Sequence, residues 1–265
     1  MVLNRLQKKI NELEKLEKKA LVSYIVAGDP DQSSTPELMH ALVDSGTDII
    51  ELGVPFSDPS AEGPTIQLAH ERALENHIGL GKVFDIVKEF RKTDADTPIV
   101  LMGYANPIEW MGYEPFCELT VGAGADAVLV VDIPPEEAEA INSVLIKHDL
   151  LNVFLIAPTT SKERVEQIAG YANGFLYYVS LKGVTGSGSL DIDSVESKVN
   201  QIRAHTELPI FVGFGIKTPD HAAAVSKVAD GVVVGSAFVD LLATKDHKAQ
   251  ALSTLASDLR QAIDS

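Results

Sequence analysis

Short apolar stretches rich in β-branched residues recur along this chain, and helical patterns separate them. Eight such stretches occur, at residues 21–28, 48–54, 98–104, 127–133, 152–158, 175–181, 209–215 and 231–237. Each is almost continuously hydrophobic, which is typical of parallel strands buried on both faces. Eight strands alternating with helices predict an α/β fold, a (β/α)8 TIM barrel. An open doubly wound sheet is the rival, but no Gly-x-Gly-x-x-Gly follows the first stretch.

Two features modify the simple barrel pattern. Residues 3–19 carry leucine and isoleucine at helical spacing among charged residues, which predicts an extra N-terminal helix that covers the bottom of the barrel. Residues 55–97 separate the second and third strands, enough for a long loop and two helices, and long loops are often functional. No linker rich in Pro, Gly or Ser divides residues 1–265, so we expect a single domain.

Local signals mark where two later helices begin. Thr218-Pro219 is typical of a helix start. Thr160 and Glu163 have the spacing of a capping box, which predicts Thr160 as the N-cap of the helix that follows.

Composition narrows the possible partners and compartment. The formal charge is -16, which disfavours binding to nucleic acid and to anionic membranes. No apolar run approaches the roughly 20 residues of a membrane span, and the first residues are too charged for a signal peptide. Cys117 is the single cysteine, so a disulfide within the chain or a cysteine zinc site is ruled out. We expect a cytoplasmic protein.

A carboxylate lies inside the second apolar stretch. Glu51 interrupts the run DIIELGV, where a charge is costly unless it is paired or functional. A buried ion pair is the alternative, but the first five stretches contain no Lys or Arg. Catalysis is therefore the favoured interpretation of Glu51.

The loop after the same strand carries further acids. Glu62 precedes Gly63-Pro64, a helix start, and an acid on a loop opposite a strand acid can form an acid–base pair. Asp58 is as compatible with a solvated loop charge as with function. Tyr104, at the end of the third strand, either orients a substrate or satisfies loop backbone.

Glycine-rich segments mark the last three strands: residues 182–190 follow the sixth, residues 213–215 end the seventh, and residues 235–236 lie in the eighth. Barrels of this type often bind phosphate between the loops after strands seven and eight and a helix N-terminus. Tight turns without a ligand are the alternative, but three such segments at neighbouring rim positions favour phosphate. None of the seven histidines ends a strand, so we expect neither a histidine metal cluster nor a histidine base.

Seven segments together resemble tryptophan synthase alpha chains. They are IELGVPFSDP (50–59), AEGPTIQ (61–67), MGYANPI (102–108), VVDIPPEE (130–137), GVTGSGS (183–189), GFGIKTP (213–219) and VVVGSAFV (232–239). They occur in the family's order and extend over essentially the whole chain.

The resemblance implies an activity and roles for residues. Members of the family are lyases that cleave indole-3-glycerol phosphate to indole and glyceraldehyde 3-phosphate without a cofactor. They pass indole to a pyridoxal-phosphate beta chain, in an alpha2-beta2 tetramer. By resemblance, Glu51 protonates indole C3 and takes the proton of the glycerol hydroxyl, while Glu62 engages the indole N–H.

Other positions carry over as well. The phosphate-binding positions are Gly186, Gly215, Gly235 and Ser236. The positions that border the substrate are Phe214, Tyr177 and Tyr24, and Thr185 lies in a lid loop. The partner face includes Asp58, Pro59, Asn106 and Pro107.

The chain departs from the family pattern twice. The loop acid is usually aspartate, but here it is Glu62, one methylene longer, which must be seated differently. Leu181-Lys182 stands where the sixth-strand segment of the family usually carries an arginine. Two alternative functions stay open: a Schiff-base phosphosugar aldolase that uses Lys182, and a non-catalytic phosphate-binding interaction subunit.

Overall fold

Eight parallel strands close into a barrel in the order of the sequence. The computed structural model describes residues 3–180, 191–213 and 215–265. The strands are β1 (Ala20–Val26), β2 (Ile49–Gly53), β3 (Ile99–Gly103), β4 (Ala127–Val130), β5 (Leu151–Ile156), β6 (Leu176–Val179), β7 (Ile210–Gly213) and β8 (Gly231–Val234). β8 pairs with β1, so the barrel leaves no sheet edge and confirms the predicted fold.

Helices surround the barrel in the described part of the chain. They are α1 (Arg5–Lys15), α2 (Thr35–Asp44), α3 (Pro64–Glu75), α4 (Leu80–Phe90), α5 (Ala105–Met111), α6 (Tyr113–Ala123), α7 (Glu139–Lys147), α8 (Lys162–Tyr171), α9 (Ile192–Arg203), α10 (Pro219–Ser226), α11 (Ser236–Thr244) and α12 (Lys248–Ile263), with a 3₁₀ turn at Pro135–Glu137. The long second connection contains a loop and two helices, α3 and α4, as predicted. None of the helices in the described ranges is long and apolar enough to cross a membrane.

The apolar residues form two shells. Strand residues that face outward pack on the helices, and those that face inward fill the lower barrel, where Phe175 and Phe211 stack with ring centroids 4.2 Å apart. Leu6 and Leu13 of α1 belong to this inner cluster. The predicted N-terminal helix therefore covers the bottom of the barrel.

One predicted helix start is wrong by a residue. The N-cap of α8 is Ser161, whose hydroxyl accepts a hydrogen bond from the N–H of Arg164 at 3.3 Å. The hydroxyl of Thr160 accepts instead from the N–H of Ala157 at 3.0 Å, in the turn before the helix. Either hydroxyl can cap a helix, and the path of the loop decides which one does. The helix start predicted at Thr218-Pro219 is confirmed, with Thr218 as the N-cap of α10.

Candidate active site

A cavity of about 670 Å³ opens at the carboxyl ends of the strands. Among its lining residues are many of those predicted from the sequence: Tyr24, Glu51, Glu62, Tyr177, Gly215, Gly235 and Ser236. Its walls also include the apolar side chains of Met102, Phe154 and Val233. Its size and mixed lining suit a small organic molecule that has an apolar part and a polar part.

Glu51 points into the barrel because of its place on β2. It follows Ile49 of the inner core by two residues, and side chains two apart on a strand share a face. It is 1% exposed, and its Oε1 atom has no hydrogen-bond partner in the described ranges. Burial raises the pKa of Glu51 to about 8, and the charge of Glu62 adds to the rise. The buried ion pair considered above for Glu51 therefore finds no support.

Glu62 reaches the same cavity from the loop after β2. Its backbone N–H donates to the carbonyl of Pro59 at 3.0 Å, and Gln67 Nε2 donates to its carbonyl at 2.9 Å. Burial raises the pKa of the Glu62 carboxyl to about 7. The two acids thus face one cavity, and both have raised pKa values.

Tyr104 holds the loop that carries Glu62. Its hydroxyl accepts a hydrogen bond from the N–H of Ala61 at 3.2 Å, and its ring stacks on Phe56 with centroids 5.1 Å apart. Of the two roles that the sequence allowed for Tyr104, the structure shows the second, which is to satisfy loop backbone. Because Ala61 is the neighbour of Glu62, Tyr104 positions the loop acid.

Two tyrosines stand beside the acids. Tyr24 pairs in register with Glu51 across β1 and β2, and Tyr177 lies on β6. A Cβ added at Gly53 or Gly213 would collide with the hydroxyl of Tyr24 or Tyr177, so these glycines make room for the phenols. Burial, followed by the charges of Glu51 and Glu62, raises both phenol pKa values. Both hydroxyls therefore keep their protons and can donate hydrogen bonds.

Backbone amides of two glycine segments also line the cavity. Gly235 is the N-cap of α11, and the first N–H groups of a helix are free to bind an anion. Gly215 has a φ of 79°, a left-handed conformation that favours glycine. Lys217 lines the same cavity, and the sequence analysis missed it, although it lies within the quoted segment GFGIKTP.

Some predicted residues lie elsewhere. Gly186, Thr185, Phe214 and Lys182 lie outside the described residues. The residues of the predicted partner face, Asp58, Pro59, Asn106 and Pro107, are not among those that line the cavity, and Asp58 and Asn106 are exposed. Trp110 of α5 is 88% exposed, and the sequence analysis did not single it out.

Comparison with known proteins gives a consistent result. The family model described as tryptophan synthase alpha chain matches residues 10–264. The tryptophan synthase alpha chain of Thioalkalivibrio sulfidiphilus is 51% identical, over 99% of this chain and 100% of that protein. That of Thiobacillus denitrificans is 52% identical, over 99% and 97%. The crystal structure of tryptophan synthase subunit alpha from Legionella pneumophila str. Paris superposes with a TM-score of 0.92 at 48% identity, with 99% of each chain covered.

Proposed function

The chain belongs to the tryptophan synthase alpha chain family, and on that premise we propose that Glu51 and Glu62 are the acid–base pair with which it cleaves indole-3-glycerol phosphate to indole and glyceraldehyde 3-phosphate. The observation that carries the assignment is the convergence of two carboxyl groups with raised pKa values on one cavity. Paired acids with different environments are the usual basis of acid–base catalysis.

Protons and electrons balance in the proposed step. Protonated Glu51 gives its proton to indole C3, and the bond from C3 to the glycerol chain then breaks. The electrons of that bond restore the aromatic indole, while the adjacent hydroxyl becomes the aldehyde of glyceraldehyde 3-phosphate. The Glu51 carboxylate takes the hydroxyl proton and is ready for another turnover. Glu62, as the carboxylate, accepts a hydrogen bond from the indole N–H and stabilises the positive charge on the ring.

The pKa values agree with these roles. Glu62, with a pKa of about 7, loses its proton before Glu51, with a pKa of about 8. Near neutral pH the combination of a protonated Glu51 and an ionised Glu62 is therefore accessible. This is the combination that the reaction needs.

We also propose that backbone amides at Gly215 and at Gly235-Ser236 hold the phosphate, with Gly186 contributing by resemblance. The free amides at the start of α11 support this, since an anion is stabilised at a helix N-terminus. Lys217 would add a single positive charge from the rim.

Members of this family pair with the tryptophan synthase beta chain, and we propose an alpha2-beta2 tetramer. The proposed contact surface comprises Asp58, Pro59, Asn106, Pro107 and Trp110. Trp110 lies one turn after Asn106 on α5, and its exposure supports this surface. Tryptophans that become buried when two proteins bind often dominate the binding energy of the interface.

An indole-release assay on the purified chain, with and without a beta chain, tests the function. We expect indole from indole-3-glycerol phosphate, and a faster rate with the beta chain present. Trp110→Ser should weaken the response to the beta chain and leave the basal rate unchanged. Absence of indole under both conditions would support the alternative function of a non-catalytic, phosphate-binding interaction subunit. Trapping of a covalent adduct at Lys182 by borohydride would support the aldolase.

A further inference from the structure

His70 is a buried imidazole that the proposed reaction does not use. It lies on α3, behind the cavity, and is 2% exposed. Arg72 anchors the same helix, since its guanidinium donates two hydrogen bonds of 2.8 Å each to the carboxylate of Asp29. This ion pair ties α3, the helix that carries His70, to the loop after β1.

Its two hydrogen bonds determine where the ring carries its proton. Nδ1 lies 3.0 Å from the backbone nitrogen of Phe56, and an N–H group can only donate, so Nδ1 accepts. Burial lowers the pKa of His70 to about 4, which keeps the ring neutral at physiological pH. A neutral imidazole has one N–H, and here it must be on Nε2.

The tautomer sets the direction of the Tyr24 hydroxyl. Nε2 of His70 lies 3.3 Å from Tyr24 Oη, and because Nε2 is the donor, the phenol oxygen accepts. The phenol hydrogen is thus left for a different acceptor. A Cβ at Gly53 would collide with this hydroxyl, and one at Gly235 would lie 3.3 Å from the Tyr24 ring, so the phenol is closely confined.

Besides His70, the charged and titratable groups that face Tyr24 are Glu62, Glu51, Tyr104 and Tyr177. Of these, Glu51 is the one with a fully buried side-chain oxygen, Oε1, that has no hydrogen-bond partner in the parts of the chain that are described. Tyr24 and Glu51 also occupy paired positions on neighbouring strands. Tyr24 therefore offers an oriented donor on the strand next to the one that carries this unsatisfied acceptor.

We propose that His70 is a positioning residue, which holds the Tyr24 hydroxyl as a hydrogen-bond donor toward the carboxyl group of Glu51. The inference rests on the proposed function of Glu51. Between giving its proton to indole C3 and taking the hydroxyl proton, Glu51 is an anion in a buried place. A donor that is oriented in advance stabilises this anion without reorganisation, and the bond from His70 polarises the phenol and strengthens its donation.

The tautomer can be measured without any substrate. In protein labelled with ¹⁵N-histidine, we expect the His70 ring to show a protonated Nε2 and an unprotonated Nδ1 at pH 7. The His70 ring signals are identified by their loss in His70→Asn. Tyr24→Phe identifies them independently, because it should change the chemical shift of the His70 Nε2 signal. A proton on Nδ1, or a charged ring at pH 7, would overturn the proposal whether or not the chain releases indole.

A double-mutant cycle tests the effect on the reaction. In His70→Asn, the amide oxygen can replace Nδ1 as the acceptor for Phe56, but the donor to Tyr24 is lost. We expect kcat to fall roughly fivefold, the equivalent of one neutral hydrogen bond, with KM nearly unchanged. We also expect the high-pH limb of kcat/KM to move up by roughly half a unit, because the Glu51 anion loses support.

In the Tyr24→Phe background, His70→Asn should have no further effect on kcat or on the pH limb. His77→Asn makes the same chemical change at an exposed position beyond the end of α3 and serves as the matched control. If His70→Asn lowered kcat equally in the wild-type and Tyr24→Phe backgrounds and left the high-pH limb of kcat/KM unchanged, His70 would only support the fold. If the wild-type chain released no indole, the proposed function would fail, and the NMR measurement would still decide the tautomer.

Discussion

Glu51 and Glu62 face one cavity, where burial and then the charge of Glu62 raise the pKa of Glu51 to about 8, while that of Glu62 rises to about 7. A strand fixes the first acid, and a loop held by Tyr104 carries the second. Because the two pKa values differ, the pair passes through a state in which one acid holds a proton and the other does not. Each assigned role depends on that state.

The pH dependence of kcat/KM should be bell-shaped. We expect the rate to rise as Glu62 ionises near pH 7 and to fall as Glu51 ionises near pH 8, since the free enzyme needs a protonated Glu51 and an ionised Glu62. Steady-state indole release between pH 5 and 10, at about unit intervals, checks this. A rate that still climbs above pH 9 would rule out Glu51 as the acid.

Glu51→Gln should abolish catalysis and stabilise the fold. We expect a loss of at least a hundredfold in kcat, the usual scale of general acid–base effects. In the folded wild type the pKa of Glu51 is about 8, against 4.5 for a free carboxyl. Between these two pH values Glu51 ionises in the unfolded chain but stays protonated in the folded one, so the wild type loses stability as the pH rises. The gain in Tm of Glu51→Gln should therefore be absent below pH 4.5 and complete above about pH 8. The exposed Glu71→Gln is the control, and an equal gain at all pH values would contradict the assignment.

Glu62 should be a working acid despite its extra methylene. Glu62→Gln should lose most of kcat, because a neutral amide cannot stabilise a cationic indole. Its high-pH limb should also move down, since the charge that raises the pKa of Glu51 is gone. Glu62→Asp should keep substantial activity, and Glu62→Ala should bind substrate but turn over poorly. Wild-type rates in Glu62→Gln would make the residue a spectator.

Tyr104→Phe should weaken catalysis through the loop. The variant keeps the ring stacked on Phe56 but leaves the N–H of Ala61 without its acceptor. We expect a fall of roughly fivefold in kcat/KM, the scale of one hydrogen bond. Tyr113→Phe, which removes a hydroxyl bonded to Glu109 outside the cavity, is the matched control. Equal rates for the two variants would show that the loop needs no such support.

The phosphate site should depend more on backbone than on Lys217. A Cβ at Gly235 would press on the Tyr24 ring beside the start of α11, so Gly235→Ala should raise KM about tenfold or more. Lys217→Ala should raise it only a few-fold, because Lys217 is exposed and its charge is screened by solvent. Inhibition by inorganic phosphate should weaken in parallel. A larger effect from Lys217→Ala than from Gly235→Ala would assign the phosphate chiefly to the lysine.

The sequence alone determined the barrel and its first acid. Eight apolar stretches separated by helical patterns require strands buried on both faces, and this property is local enough to be visible along the chain. Glu51 stood out for the same reason, as a charge in a place where solvation is lost. Glu62 was accessible because it follows the same strand and precedes a recognisable helix start.

The tertiary structure decided how these acids are supported. Tyr104 and Ala61 are 43 residues apart, and Tyr24 and His70 are 46 apart, so no periodicity relates them. His70 looks like an ordinary helical residue in the sequence, and its role depends on which way α3 presents it. A hydrogen bond forms only when the donor and acceptor atoms lie about 3 Å apart and within a narrow range of angles. The packing of a helix on the barrel sets such geometry, whereas the pattern of apolar residues determines only which face of the helix is buried.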